Sequence, residues 1–284
     1  MHQMSFLMKK KHLLKTLTLT FLTFMMMSSL GFAQDDSLTQ LNRLYQSVLN
    51  DYLSPGQKNG LPANMVDYAV IRKDDRLNQL MTLIQDYPQE QLNNPKKEIA
   101  FYLNAYNIMS IVKVADNWPL KRLTSLGTFM KPVWTHPAGK VCGQKMTLRI
   151  LERDILRKLD EPRIHFALNC ASMSCPNLRP EPYEADKLEQ QLEDQLVKFM
   201  QQDGKGRLII KDGQVKLSAI FEWFDEDFNA EGGVEHYIQA YLPATDKRWE
   251  IVGYLNYDWD VTTHLSGSEK RQLKRQRRDP IFRY

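Results

Sequence analysis

The residues of this chain that could do chemistry are concentrated in one stretch, PRIHFALNCASMSCPNLRP, which runs from Pro162 to Pro180. It holds two of the three cysteines, Cys170 and Cys175, and a histidine, His165, precedes them. A thiol with an imidazole is a combination used in nucleophilic catalysis, because the imidazole can remove the thiol proton. Cys170 is therefore the candidate nucleophile and His165 a candidate base.

A cysteine nucleophile also needs an acid that orients its base and donors that stabilise a developing oxyanion. Asp258, which lies between two large aromatic residues, and Glu152 are the candidate acids. Asn107 is the leading candidate donor, and Asn104 and Asn169 are alternatives. The residues expected to bind ligand without reacting are Asn104, Asn169, Ser174, Arg179 and Glu152.

Three of these residues also have a structural interpretation. Asn104 and Asn107 lie three positions apart and share one face of a predicted buried helix. Each buried amide left without a partner would cost about 1–3 kcal/mol, so the pair either braces neighbouring backbone or lines the site. Glu152 could instead form an ion pair with Arg157 of the same predicted helix.

The pattern around His165 predicts a strand, because Ile164, Phe166 and Leu168 alternate with more polar residues. In a regular strand His165 and Cys170 face opposite ways and lie about 16 Å apart. They meet only if the chain turns sharply at Asn169. Otherwise another histidine must act as the base, and the candidates are His136, His236 and His264.

The two cysteines of the stretch have two further interpretations. Cys170 and Cys175 could form a disulfide that closes a tight loop, which would leave Cys142 unpaired. Together with His165 they also offer three of the four ligands that zinc requires. Their spacing matches no established zinc site, so we expect neither a metal nor another cofactor.

Residues 1–33 have the pattern of a secretory signal peptide. A lysine-rich start precedes the apolar run Leu17 to Leu30, and small residues follow up to Ala33. The run is short for a membrane span, and no second one follows it. The sequence therefore predicts cleavage near Ala33 and a secreted or periplasmic protein that does not span the membrane.

Charge is distributed unevenly along the chain. The formal net charge is +4, and residues 1–33 hold four lysines and no acid, so the remainder is near zero (4 − 4). Residues 268–284 hold seven basic and two acidic residues, a net of +5. Residues 34–267 are therefore a mildly acidic single domain that is not expected to bind nucleic acid. The basic tail is predicted to be disordered, with an anionic surface or acidic partner as its candidate contact.

The elements expected in order are those of an α+β domain, with a mostly helical N-terminal half packed on a small antiparallel or mixed sheet. Helical spacing is strongest from Pro95 to Asp116. A hairpin is expected around Pro137-Ala138-Gly139 and another around Asp212-Gly213. Further helices are predicted at 37–52, 76–87, 148–158, 187–201 and 234–241, and a last strand at 250–258.

Five segments occur in the order FYLNAYN, LRILERDILR, PRIHFALNCASMSCPNLRPEPYEADKLEQQL, IFEWFDEDF and YLNYDWDVT. Together they resemble the domain of unknown function family number 547 over roughly residues 41–262. The resemblance implies an exported bacterial member of that family, with no established activity. This chain has Glu152-Arg153 where members often have Glu-His. Plant relatives tend to replace the cysteine at the position of Cys175 but keep one near Cys170, which favours Cys170 acting alone.

Two functions of different classes follow from these observations. The first is thiol-dependent hydrolysis or acyl transfer on a peptide-like or amide substrate or another small-molecule ligand. The second is a non-catalytic binding or scaffold module that uses the rings of Phe221 to Phe228 and Trp134, with Cys170–Cys175 as a structural disulfide. A cleft floored by Cys170 and Asn107 would favour the enzyme, and a flat exposed aromatic patch would favour the scaffold.

Overall fold

The computed structural model of the chain describes residues 36–201, 205–211, 213–244, 246 and 248–276. The predicted signal peptide and the end of the basic tail, 277–284, lie outside these residues. The chain divides after Arg43 into two compact units. Only residues 36–43 of the first unit are described, and they are helical. The site and the elements that position it belong to the second unit.

Helices and short sheets alternate along the chain, which confirms the α+β class. The first two sheets are antiparallel pairs, β1 with β2 and β3 with β4, and in the third β6 pairs antiparallel with β5 and parallel with β7. The strands are β1 (Leu53–Lys58), β2 (Leu61–Val66), β3 (Pro137–Val141), β4 (Gln144–Thr147), β5 (Arg207–Lys211), β6 (Gln214–Ser218) and β7 (Glu250–Leu255). The α-helices are α1 (Asp36–Tyr52), α2 (Tyr68–Ile71), α3 (Arg76–Gln85), α4 (Pro95–Asp116), α5 (Leu188–Met200), α6 (Ile220–Trp223), α7 (Val234–Tyr237) and α8 (Gly267–Gln276).

Helix α4 is the central element, and its bounds are those predicted from the sequence. Asn94 caps its start by accepting a hydrogen bond from the Lys97 amide at 2.9 Å, and Pro95 occupies the first turn. Fifteen of its residues are buried, on all sides of the helix. A helix without a polar face must lie inside the fold, so its few polar side chains have to find partners there.

A cluster of buried rings supports the chain on the C-terminal side of the site. Phe166 lies at its centre, with ring centroids 5.3 Å from Phe199 of α5 and 5.4 Å from Phe221 of α6. Phe228 completes the cluster at 5.5 Å from Phe221. Tilted pairs of this kind stabilise a core beyond the area they bury. The residue before Phe166, His165, is held in place by this packing.

Two elements near the site differ in form from their predictions. The hairpin of β3 and β4 turns at Cys142 and Gly143, which have φ angles of 48° and 76°, and not at Pro137-Ala138-Gly139. The predicted α-helix at 148–158 is a π-helix over Ile150–Ile155, followed by a 3-10 helix. Such π-turns widen the helix and are frequent at functional sites.

The predicted strand at 164–168 is wrong. Pro162–Phe166 form a 3-10 helix, with Pro162 in the first turn and the Glu161 carboxylate accepting a hydrogen bond from the Arg163 amide at 3.0 Å. Ile164, His165 and Phe166 are all buried, so the apolar alternation does not mark two faces. Because this segment is helical, His165 and Cys170 are not constrained to face opposite ways.

Of the tail that was predicted to be disordered, residues 268–276 lie in α8, and 277–284 lie outside the described residues. Ser266 and Glu269 cap each other: the Glu269 carboxylate accepts from the Ser266 amide at 2.7 Å, and the Ser266 hydroxyl accepts from the Glu269 amide at 3.3 Å. The Trp118 indole N–H donates to Glu269 at 2.7 Å, which fixes the helix against the domain. In the part of the chain that is described, no helix is long and apolar enough to cross a membrane.

Candidate functional site

A cavity of about 160 Å³ contains the reactive residues of the central stretch. His165, which lies in the 3-10 helix Pro162–Phe166, and Cys170, which follows Asn169, both line it. Glu152 from the π-helix and Tyr106 from α4 also face it. The remaining lining residues are mainly apolar or aromatic: Trp134, Leu168, Cys175, Pro176, Ile220, Trp223, Phe224, Tyr257 and Trp259.

Two asparagines hold the backbone that leads to Cys170. The Asn107 side chain donates to the Ala167 carbonyl at 3.1 Å and accepts from the Asn169 amide at 2.8 Å. The Asn169 side chain donates to the Pro176 carbonyl at 2.7 Å and accepts from the Ala171 amide at 3.0 Å. Ala171 has a φ of 61°, a left-handed conformation that is unfavourable for a residue with a Cβ. These bonds fix the sharp turn just after the thiol.

The loop from Cys170 to Cys175 is held from its other side by the segment that follows β7. The Met173 amide donates to the Asp260 carbonyl at 2.8 Å, and the Thr262 amide donates to the Ala171 carbonyl at 2.9 Å. These bonds form an antiparallel bridge between the two segments. The loop is therefore placed by α4 on one side and by a segment almost ninety residues later on the other.

The Cys170 thiol lies in a set of hydrogen bonds that favours its charged form. Its Sγ is 2.7 Å from the Ser172 hydroxyl and 3.6 Å from the Tyr257 hydroxyl. Burial alone would raise the pKa of Cys170, but hydrogen bonds from Cys175, Ser172 and Tyr257 outweigh it and lower the pKa to about 6. Donors aimed at a sulfur stabilise a thiolate, which is the reactive form.

All three cysteines are free thiols, and Cys175 differs from Cys170 in its contacts. Cys170 and Cys175 are therefore two separate thiols in the structure and not the disulfide that was one of the alternatives from the sequence. The Cys175 Sγ accepts from the Cys170 amide at 3.0 Å and lies 3.4 Å from the Leu168 carbonyl. Burial raises the pKa of Cys175 well above its ordinary value, so this thiol stays protonated and acts as a donor.

His165 is oriented by the carboxylate of Asp227, which is itself paired with Arg157. Its Nε2 lies 2.7 Å from the Asp227 carboxylate, and Arg157 donates two hydrogen bonds of 2.6 Å to the same carboxylate. The ring stacks on Phe224 with centroids 4.1 Å apart. Burial lowers the pKa of His165, so the ring is neutral at pH 7 and its Nε2 proton points to Asp227. Nδ1 is then left as an acceptor.

Asp227 replaces Asp258 as the acid that orients the histidine. The Asp258 carboxylate instead accepts hydrogen bonds from the Asn59 side chain at 2.7 Å and from the Asp260 amide at 2.9 Å. Asp227 was not predicted from the sequence, although it lies within the segment IFEWFDEDF. The available signal was an acid beside the aromatic residues that pack on the histidine.

Glu152 lines the cavity and does not pair with Arg157. The structure shows Arg157 bound to Asp227, and no side-chain hydrogen bond or ion pair of Glu152 is present among the described residues. Burial is the main cause that raises the pKa of Glu152 to about 7, and the neighbouring Cys170 adds to it. A carboxyl group with such a pKa can both give and take a proton near neutral pH.

Replacing Glu152 by Gln is expected to stabilise the protein at pH 8 by about 1–2 kcal/mol, since the folded state holds this carboxylate at a cost. The raised pKa makes the contribution of Glu152 to stability fall as the pH rises from about 4.5 to about 7, because only the unfolded chain ionises this carboxyl readily in that window. Glu152→Gln lacks this contribution, so its stability relative to wild type should rise from pH 5 to pH 8, as measured by urea unfolding. The exposed Glu222→Gln is the control, and a Glu152→Gln variant less stable than wild type at pH 8 would contradict the assignment.

The other predicted site residues serve the framework of the site. Asn104 donates to the Tyr183 carbonyl at 2.8 Å and accepts from the Tyr183 amide at 2.9 Å. Arg179 binds Asp194 at 2.5 Å and Glu181 at 2.6 Å. The Ser174 hydroxyl accepts from the Asp258 amide at 2.8 Å, and Asn107 and Asn169 are bound to backbone as described above. None of these five predicted residues lines the Cys170 cavity.

Of the four candidate histidines, only His165 lines the cavity within the described part of the chain. His136 instead contacts the Lys131 carbonyl at 3.2 Å. Within the described residues, no group of three His, Cys, Asp or Glu side chains is placed to hold a metal ion.

Comparison with protein families gives a match to part of the chain. Residues 89–200 match the family described as "Protein of unknown function, DUF547". The match supports the resemblance over α4, the π-helix and the Cys170 loop. The resembling segments that contain Asp227 and Tyr257 lie beyond the matched residues. Searches of curated proteins and of solved structures give no match.

Proposed function

We propose that this chain catalyses thiol-dependent hydrolysis or acyl transfer on a peptide-like or amide substrate, with Cys170 as the nucleophile. One observation carries the proposal: a thiol of low pKa, a histidine oriented by an acid and a carboxyl group of raised pKa line the same cavity. Titratable groups whose pKa values are shifted in opposite directions within one cavity are typical of acid–base sites.

In the proposed reaction the Cys170 thiolate attacks the carbonyl carbon of the substrate and forms a tetrahedral intermediate. The C–N bond then breaks, a thioester remains on Cys170, and the leaving amine takes a proton from Glu152. Water, or the amine of a second substrate, attacks the thioester while Glu152 takes back a proton. The thiolate leaves, and the enzyme returns to its starting state.

His165 is assigned a supporting part in this scheme. Its Nε2 proton is engaged by Asp227, so the acceptor Nδ1 can receive a hydrogen bond from substrate or from the attacking water. The Tyr257 hydroxyl, 3.6 Å from the Cys170 Sγ, can donate to the thiolate and then to the substrate oxygen.

A second candidate is a binding module without catalysis that uses the same rings. Trp223 stacks on Trp259 at 5.7 Å and is 45% exposed, so it offers a face to a partner. The rings surround a cavity with Cys170 in its wall, and this arrangement favours the enzyme over a flat patch.

We also propose that the protein is exported, as a periplasmic or secreted bacterial member of the DUF547 family. The support is the sequence pattern of residues 1–33, with its lysines, its apolar run and its small residues before the expected cleavage point. N-terminal sequencing of the protein recovered from the producing cells tests this, and a start at Met1 would contradict it.

Alkylation by iodoacetamide tests the nucleophile. Cys170 should react at least about 100-fold faster than the other cysteines at pH 7, with a half-maximal rate near pH 6, because only the thiolate reacts. Cys142 is the internal control, since burial raises its pKa to about 11. Peptide mass mapping gives each rate separately.

Acylation then tests the reaction. An activated ester such as p-nitrophenyl acetate should give a burst of one equivalent and an acetyl group on Cys170, and Cys170→Ser should fold but show no burst. If Cys142 reacts as fast as Cys170, or if the isolated protein contains a Cys170–Cys175 disulfide, the thiol-enzyme proposal is wrong.

A further inference from the structure

A second cavity, of about 740 Å³, shares only Tyr257 with the Cys170 cavity. Its walls come from the β1–β2 hairpin, from Ser174 of the cysteine loop and from the residues around β5 and the end of β6. The proposed reaction uses no residue of this cavity apart from Tyr257. Its lining is chemically unlike that of the first cavity.

Two buried cations line this second cavity. Lys205 is 5% exposed and Arg207 is 9% exposed. The Lys205 Nζ donates to the Cys175 carbonyl at 3.0 Å, and the Arg207 Nε donates to the Met200 carbonyl. Both cations thus bind backbone carbonyls, and neither lies within ion-pair distance of a carboxylate in the described residues.

The lack of an acid partner distinguishes these cations from the other sheltered arginines. Arg157, Arg163 and Arg179 each bind a carboxylate at 2.5–2.7 Å. Neither Lys205 nor Arg207 has an ion pair within the described residues. Burial lowers the pKa of Lys205 to about 8 and also lowers the pKa of Arg207. A charge that is buried without a partner is costly, and an incoming anion would relieve that cost.

The neutral polar groups of the cavity add donors. The Ser174 hydroxyl accepts from the Asp258 amide at 2.8 Å and the Ser218 hydroxyl accepts from the Ile220 amide at 3.3 Å. Each hydroxyl keeps its own proton for a further acceptor. No Asp or Glu is among the described residues that line the cavity. An ammonium, a guanidinium and two hydroxyls thus surround one space without a carboxylate.

We propose that this cavity binds an oxyanion, either a phosphate or a carboxylate group, between Lys205 and Arg207. A guanidinium presents paired donors that match two oxygens of such a group, and an ammonium adds a second charge. Apart from Tyr257, the site uses no residue of the reaction proposed at Cys170. Tyr257 lies between the two cavities, so an anionic ligand held here would lie next to the thiol site.

Isothermal titration of the full chain with inorganic phosphate, and separately with malonate, tests the site at constant ionic strength. Wild type should bind at least one of the two anions, and Arg207→Gln and Lys205→Met should each weaken that binding at least tenfold. The matched control is Lys211→Met, which removes an exposed charge from the same strand as Arg207. If Lys205→Met does not fold by circular dichroism, Arg207→Gln and the charge-keeping Arg207→Lys carry the test.

The arms of this experiment separate the ligand classes. Preference for phosphate identifies a phosphorylated ligand, and preference for malonate identifies a carboxylate. Cys170→Ser should still bind the anion, so the anion site can stand even if the proposed enzyme function fails. A wild-type chain that binds neither anion, or variants that bind as tightly as wild type, would overturn the proposal.

Discussion

Replacing Asp227 by Asn is expected to lower the free energy of unfolding by about 2–4 kcal/mol at pH 7. The carboxylate accepts hydrogen bonds from both His165 and Arg157, and its side chain is 17% exposed. Removing one member of a fully buried pair costs about 3–5 kcal/mol, and the partial exposure reduces this. Against a typical total of about 5–15 kcal/mol, the loss is large.

The pH dependence of this variant follows from two shifts with the same sign. Burial would raise the pKa of Asp227, but hydrogen bonds from His165 and Arg157 outweigh it and hold this pKa well below its ordinary value. Burial lowers the pKa of His165. Both groups bind protons more readily in the unfolded chain. Wild-type stability should therefore fall below about pH 6.5 through His165, and again below about pH 4 through Asp227. The second decrease should be missing in Asp227→Asn.

Urea unfolding from pH 3 to pH 8 measures both effects. Asp186→Asn removes an exposed carboxylate and is the matched control, with an expected change within about 0.5 kcal/mol. An Asp227→Asn variant as stable as this control would show that the pairing does not stabilise the fold.

Replacing Asn107 by Leu is expected to cost about 2–5 kcal/mol and also to displace the Cys170 loop. The change leaves two buried backbone groups, the Ala167 carbonyl and the Asn169 amide, without partners, at about 1–3 kcal/mol each. Because these groups precede the thiol directly, the alkylation rate of Cys170 at pH 6 should fall as its pKa moves toward that of an ordinary thiol.

The control for this change lies on the same buried helix. Ser110 is buried and its hydroxyl has no hydrogen-bond partner among the described residues, so Ser110→Ala should be neutral within about 1 kcal/mol. Thermal unfolding and the alkylation rate are measured together. If Asn107→Leu is unstable but alkylates at the wild-type rate, the asparagine supports the fold without positioning the thiol.

The parts of the fold that the sequence predicted well are those fixed by local rules. Helix α4 has a capping asparagine, a proline in its first turn and apolar residues throughout, and its bounds agree with the prediction. The segment at 164–168 was assigned wrongly, because burial on all sides imitates the alternation of a strand. Asn107 of α4 hydrogen-bonds the Ala167 carbonyl and the Asn169 amide, so these backbone groups need no neighbouring strand.

The sequence indicated candidate site residues but not the residues that contact them. The candidates Cys170, His165 and Glu152 line one cavity, and their chemical roles stay predictions. The acid on His165 was not predicted, because 62 residues separate it from Asp227 and only the packed rings bring the two together. The lowered pKa of Cys170 depends on Tyr257, 87 residues away, and no spacing rule connects them.

The bridge between the Cys170 loop and the segment around Val261 has a consequence for biosynthesis. While the chain is still being made, the thiol emerges long before the residues that hold its loop and before Tyr257, which helps to lower its pKa. The nascent chain therefore carries an ordinary cysteine, with a pKa near 8.5 and little reactivity. On the proposed function, Cys170 would therefore become a nucleophile only after residue 262 has been added and folded into place, and the unfinished chain would lack that reactivity.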